Sequence, residues 1–237
     1  MAPLPTQYVD LPDLKMAYCE AGSGEKLLFL HGNSESKEIF LRYQLEHFKD
    51  YQTFALDSRG HGQSRSRDLT LTIPQMSQDV IRFCAAKGIH KTHLVGYSDG
   101  GNIALLLAKN APQLFDRVVA IAPNYLASGT DEKTLKQFTR KARFWKILSR
   151  LGLPTRNVVM RYDLMLNDIG ISAEELRSIQ TGMKILYAEQ EMIRTEHIRE
   201  IAGLVPNSEL EMIPGCTHMN ILQHPRTAIA IREYLAS

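Results

Sequence analysis

The sequence predicts an α/β protein: a doubly wound, mostly parallel sheet carrying a helical lid insertion. Three observations point there. Short apolar runs of strand length alternate with helical stretches along most of the 237 residues, the rhythm of βαβ units. That rhythm breaks once, from 124 to 182, where helical patterns follow one another without strands. One β-rich run, Thr92-His93-Leu94-Val95, passes into a strong helix former within a few residues through Gly96-Tyr97-Ser98-Asp99-Gly100. The resulting division is a core of 1–123 and 183–237 with a lid or cap of 124–182.

Taken in order, Tyr8 to Glu20 alternates around Leu11-Pro12-Asp13 as an edge hairpin does. Lys26 to Leu30 is nearly all apolar and suits a strand covered on both faces. A helix of about fifteen residues is expected next, with Ile39, Phe40, Tyr43, Leu45 and Phe48 on its apolar side. Thr53 to Leu56 is a strand, and Ile73 to Gly88 a helix opened by Thr72 and Pro74. After the Ser98 turn and its helix comes a buried strand, Arg117 to Ala122. In the interruption, helices are expected over 131–151, capped by Ser128 or Thr130, then over 157–166 and 172–179. Strand, helix, strand and helix resume at Met183–Tyr187, Thr195–Leu204, Glu209–Ile213 and Pro225–Leu235.

Composition narrows the function classes. A net charge of +2 is near neutral and nothing in it argues for nucleic acid, so no nucleic-acid partner is expected. Cys19, Cys84 and Cys216 are odd in number and widely spaced, which suits a reducing compartment better than disulfides or a metal site. Residues Met1 to Gln7 show neither the basic nor the apolar region of a secretory leader, and no stretch reaches the ~18 apolar residues of a membrane span. The expectation is a cytoplasmic protein without integral membrane association.

Chemistry concentrates at Ser98. A strand turning directly into a helix forces its turn residue into a strained backbone region. Gly96 and Gly100 relieve the crowding, and Ser98 is left exposed at the positive end of the helix with the Asp99 N–H free for an oxyanion. A serine hydroxyl needs a base. Of eight histidines, His31 and His61 sit in turn motifs, and His47, His90, His93 and His197 lie within or beside helices and strands. His224 opens the final helix, whereas His218 follows the last strand, on the sheet edge that carries Ser98.

Four motifs, His31-Gly32-Asn33, Asp57 to Ser64, Gly96 to Gly101 and Pro214 to His218, give the chain a resemblance to the α/β-hydrolase superfamily, in its lidded serine esterase-like branch. The resemblance implies Ser98 as nucleophile, His218 as base and an oxyanion hole from the Asn33 and Asp99 backbone N–H groups. It also implies an acid after the strand at Lys184–Leu186, where Ala188-Glu189-Gln190-Glu191 stands in place of the usual Gly-x-x-Asp. Glu191 matches that position; Glu189 competes with it, and Asn124 fills the alternative site one strand earlier with an amide. Asp57 and Arg59 read as an ion pair that locks their loop, and Cys216 as a small buried filler.

The expected activity is cleavage of a carboxylic ester through an acyl-enzyme at Ser98, with a small-molecule acyl substrate and no cofactor or metal. A carbon–carbon bond hydrolase, amidase or thioesterase shares the machinery, a non-catalytic binding protein shares the fold, and a homodimer is left open. The lid's first helix carries Phe138, Phe144, Trp145, Ile147, Leu148 and Leu151, read as an apolar underside over the pocket, with Trp145, Tyr162 and Met165 as pocket candidates. Its run of Lys133, Lys136, Arg140, Lys141, Arg143, Lys146 and Arg150 reads as a solvated face, with attraction to an anionic head group or membrane surface as the sharper reading.

Overall fold

Among the described residues nine strands form a single sheet, in the order β1-β2-β4-β3-β6-β7-β8-β9, with the two-residue β5 (Arg65–Ser66) paired to β2. The computed structural model describes residues 4–67 and 70–237; the reading of Met1 to Pro3 falls outside them. β1 (Gln7–Asp10) and β2 (Leu14–Ala21) make the expected antiparallel hairpin, and β2 runs antiparallel to β4 (Gln52–Leu56). From β4 onward every pairing is parallel, through β3 (Lys26–Leu30), β6 (Thr92–Tyr97), β7 (Phe115–Ile121), β8 (Gly182–Gln190) and β9 (Ser208–Thr217). All six residues of β6 are buried, as befits a central strand covered on both faces.

Two apolar layers cover the sheet. One joins Val80 and Phe83 of α1 (Ile73–Ala86), Ile103 and Leu106 of α2 (Asp99–Asn110), and Ile198 and Ile201 of α6 (Thr195–Leu204). The other joins Phe40, Tyr43 and Phe48 to Ile231 and Tyr234 of α7 (Pro225–Ala236). The Thr72 hydroxyl caps α1 by accepting the Gln75 N–H at 3.2 Å.

Three expectations need correction. The helix expected after Asn33 is shorter and unevenly wound, passing without a break from a 3₁₀ turn at Lys37–Phe40 to a π turn at Tyr43–His47. Buried polar groups anchor both turns: Asp57 Oδ1 takes the Lys37 N–H at 2.8 Å, and the Gln44 amide donates to the Cys19 carbonyl at 3.2 Å and Thr53 Oγ1 at 3.1 Å. Asp57 and Arg59 do not pair with each other. Asp57 holds the buried Lys37 ammonium at 3.0 Å, while the Arg59 guanidinium forks onto Asp79 (both contacts 2.8 Å) and reaches Asp13 at 2.9 Å. Two residues apart, their side chains leave the loop in different directions.

Between β7 and β8 the chain is helical: α3 (Glu132–Arg150), α4 (Arg156–Leu166) and α5 (Ala173–Arg177). The cap of α3 is Asp131, not Ser128 or Thr130; its carboxylate accepts the Thr134 N–H at 3.0 Å. Thr130 instead bridges to Ile193, and the Asp131 N–H donates to the Met192 carbonyl at 2.8 Å, so the start of α3 is tied to the loop after β8. No helix among the described residues is long and apolar enough to cross a membrane.

Candidate active site

Ser98 stands between β6 and α2 at φ 54°, ψ −116°, one of three non-glycine residues with positive φ among those described. The strain is kept because both neighbouring glycines are compulsory. A Cβ on Gly96 would lie 2.1 Å from the Gly100 carbonyl oxygen, and one on Gly100 would lie 2.1 Å from that of Leu30. The first-turn N–H groups of α2, beginning with Asp99, have no carbonyl one turn back within the helix. Across the turn, a Cβ on Gly32 would meet the Ser98 Cβ at 3.0 Å, so the backbone leading into Asn33 lies against the serine.

His218 follows directly on the end of β9, which runs four residues beyond the expected Ile213. It opens a short turn in which Thr217 and Asn220 cap each other. The Tyr97 hydroxyl donates to the His218 carbonyl at 2.7 Å and fixes its backbone. The ring is buried at 5% exposure, its Nε2 lies 3.2 Å from Ser98 Oγ, and its Nδ1 bonds Glu191 Oε1. A carboxylate only accepts, so Nδ1 carries the proton and Nε2 is left to accept from the serine. Glu191 Oε1 also takes the Met192 N–H at 2.8 Å, and Glu191 Oε2 is buried with no partner among the described residues. Glu189, the competitor, turns the other way and accepts the Gly215 N–H at 2.8 Å. A register shift between Ala188 and Gln190 separates the two carboxylates, because strand alternation is interrupted there.

A cavity of about 500 Å³ opens over Ser98 and His218. Trp145, Tyr162 and Met165 line it, as does Phe138, so α3 and α4 roof the serine. The rest of the apolar underside does not hold: Phe144, Ile147 and Leu151 are 55%, 49% and 74% exposed and point outward.

Sequence reasoning missed a polar floor. The Asn33 side chain, expected to contribute only its backbone, donates to Asp99 Oδ2 and to the Arg161 carbonyl, both at 2.9 Å. Asn102 donates to Asp99 Oδ1 at 3.3 Å and takes the Asn124 N–H at 2.6 Å. Burial pushes the Asp99 carboxyl above the usual range, against those amide donors. Glu35 accepts the Gly32 N–H at 3.0 Å, and burial raises it too. The position of Asn102, one helical turn after Ser98, was the only local signal; the other contacts join residues far apart in the chain.

The loops beneath the serine are held by neutral imidazoles. His31 Nδ1–H donates to the Gly32 carbonyl at 2.7 Å and its Nε2 accepts the Ser58 N–H at 3.0 Å. Burial lowers His31 to about 4 and His61 to about 3. The unfolded chain therefore binds protons that the folded one refuses, and stability falls as pH drops from ~6.5 towards 4, by about 3 kcal/mol for His31 alone. Asp99 and Glu35 act in the opposite sense, so the imidazole contribution is read as a difference. Urea midpoints from pH 7.5 to 4.5 are expected to fall more steeply for the native chain than for His61→Gln; parallel curves count against the buried neutral rings.

Among known proteins, residues 26–157 match the family model described as the alpha/beta hydrolase fold. A dihydrolipoyllysine-residue acetyltransferase component of an acetoin cleaving system from Cupriavidus necator is 38% identical over 119 residues, 49% of this chain and 32% of that protein. This chain spans about a third of the length of the curated relatives it matches. The solved E-2-(acetamidomethylene)succinate hydrolase superposes with a TM-score of 0.83 at 17% identity, covering 99% of this chain and all of that one. Carboxylesterase CesB from Bacillus subtilis gives 0.80 at 20%, covering 99% and 92%. At these identities the structural likeness is one of fold. The sheet order, the strained Ser98 turn and the match over more than half its length together show that this chain belongs to the alpha/beta hydrolase fold family.

Proposed function

We propose that the protein is a serine hydrolase that cleaves a carboxylic ester through an acyl-enzyme at Ser98. The observation that carries the proposal is the position of His218 Nε2, 3.2 Å from Ser98 Oγ, with Nδ1 turned onto Glu191. In this reading His218 takes the Ser98 proton as Oγ attacks the acyl carbon. The Asn33 and Asp99 N–H groups receive the oxyanion. The Nε2 proton then passes to the leaving alcohol, and a water activated by the same nitrogen releases the acid. Glu191 holds the Nδ1–H tautomer and stabilises the imidazolium.

Residues 124–182 act in this proposal as a lid, with Trp145, Tyr162 and Met165 forming the acyl side of a cavity of about 500 Å³. A cavity of that size suits a short or medium acyl chain. With p-nitrophenyl esters of graded length, kcat/KM is expected to rise with chain length while the cavity fills, then fall. A folded protein that turns over none of them contradicts the reading. A second reading, passage of the acyl group to an alcohol or thiol in place of water, is favoured by the acetyltransferase name of the 38% identical relative. Ester formation on adding alcohol, at the expense of free acid, distinguishes the two.

A further inference from the structure

The outer face of α3 carries two features that a solvated helix does not need together. Nine large apolar side chains are exposed among the described residues, and four of them, Phe144, Ile147, Leu151 and Leu153, fall within ten residues. Spacings of three and four put Phe144, Ile147 and Leu151 in one stripe, on the side away from Trp145 and the buried Ala142. The same helical spacing sets the exposed Arg140, Arg143 and Arg150 along that stripe. None of these three arginines makes an ion pair among the described residues; the pairs on α3 are Lys136–Glu132 and Lys146–Asp163. Residues 131–166 hold nine lysines and arginines against three carboxylates, a net +6 in a chain whose total is +2.

We infer that the outer face of α3 docks on an anionic lipid surface. Charge complementarity selects the partner's sign, and the apolar stripe selects its kind. A bilayer surface offers phosphate-level anions with hydrocarbon about 5–10 Å beneath them, so interleaved arginines and large apolar side chains are satisfied together. A second copy of the chain is disfavoured, because apposing this face to itself brings Arg140, Arg143 and Arg150, unpaired among the described residues, against their own counterparts. Docking so oriented would set the roof of the Ser98 cavity against the membrane, since the opposite side of α3 lines that cavity. The inference is independent of the reaction proposed above.

Trp145 is the only tryptophan; it faces the cavity, and its ring lies 5.3 Å from that of Phe144, so its emission reports a change at Phe144 through that contact. The full chain is titrated with vesicles of phosphatidylcholine alone, or of phosphatidylcholine and phosphatidylglycerol at about 7:3, in about 0.15 M NaCl, with co-sedimentation in parallel. At least ~10-fold tighter binding to the anionic vesicles is expected, with a change in Trp145 emission, weakening at high salt. The variants Phe144→Ser/Ile147→Ser/Leu151→Ser and Arg140→Glu/Arg143→Glu/Arg150→Glu are each expected to lose ~10-fold or more while keeping their circular dichroism and their turnover of any short soluble ester. Equal binding to both vesicle types, no binding, or unchanged binding by either variant overturns the inference. So does a dimer in light scattering that the serine variant dissolves, which gives the face to a second copy. Retention on an acidic polymer that the serine variant leaves intact, without vesicle binding, assigns the face to charge alone and overturns it equally.

Discussion

Replacing Ser98 with alanine is expected to cut ester turnover by about 10⁴-fold or more, with little change in stability. In the proposed reaction the Ser98 hydroxyl, 3.2 Å from His218 Nε2, is the group that is deprotonated and attacks, and residues in such a site act as a unit. Alanine keeps the Cβ that already sits at φ 54°, so the strained turn is neither relieved nor worsened. Steady-state kinetics with thermal melts on the same samples check both halves. An alanine variant with more than a hundredth of the native turnover places the nucleophile elsewhere.

Glu191→Gln is expected to lower kcat by about 10³- to 10⁴-fold with KM little changed, while Glu189→Gln stays within a few-fold. A glutamine at 191 can turn its amide NH₂ toward His218 Nδ1. That stabilises the wrong tautomer, with a proton on Nε2 facing the serine, and the ring can no longer accept. Glu189 is exposed and holds the Gly215 N–H, a contact on the far side of the β8 irregularity. The opposite ranking of the two variants assigns the acid to Glu189.

What the sequence showed and hid follows from the range of the interactions. The Ser98 turn was legible because its constraint is local: Gly96 and Gly100 are required by backbone atoms one turn away and by β3 beside them. His218 was legible because parallel strands bring their C-terminal ends to one edge. The Asn33–Asp99–Asn102–Asn124 network was not, since beyond the Asp99 and Asn102 pair on α2 it joins the loop after β3 to a backbone N–H after β7, and no spacing in the chain encodes those long-range contacts. Asp57 and Arg59 were paired on proximity in sequence, but the buried Lys37 and Asp79 offered each a better-aligned partner. On α3, apolar residues lie on both sides of the helix, and periodicity alone does not say which side meets the core.

The proposed roles meet their most direct test in a fluorophosphonate, which reacts only with a serine whose hydroxyl is activated beside oxyanion donors. Peptide mass spectrometry of the treated protein is expected to show one adduct, on Ser98, formed markedly more slowly in Glu191→Gln. An unmodified Ser98 in the folded protein, or an adduct on a different serine, contradicts the assignment of Ser98, His218 and Glu191 to one reacting centre.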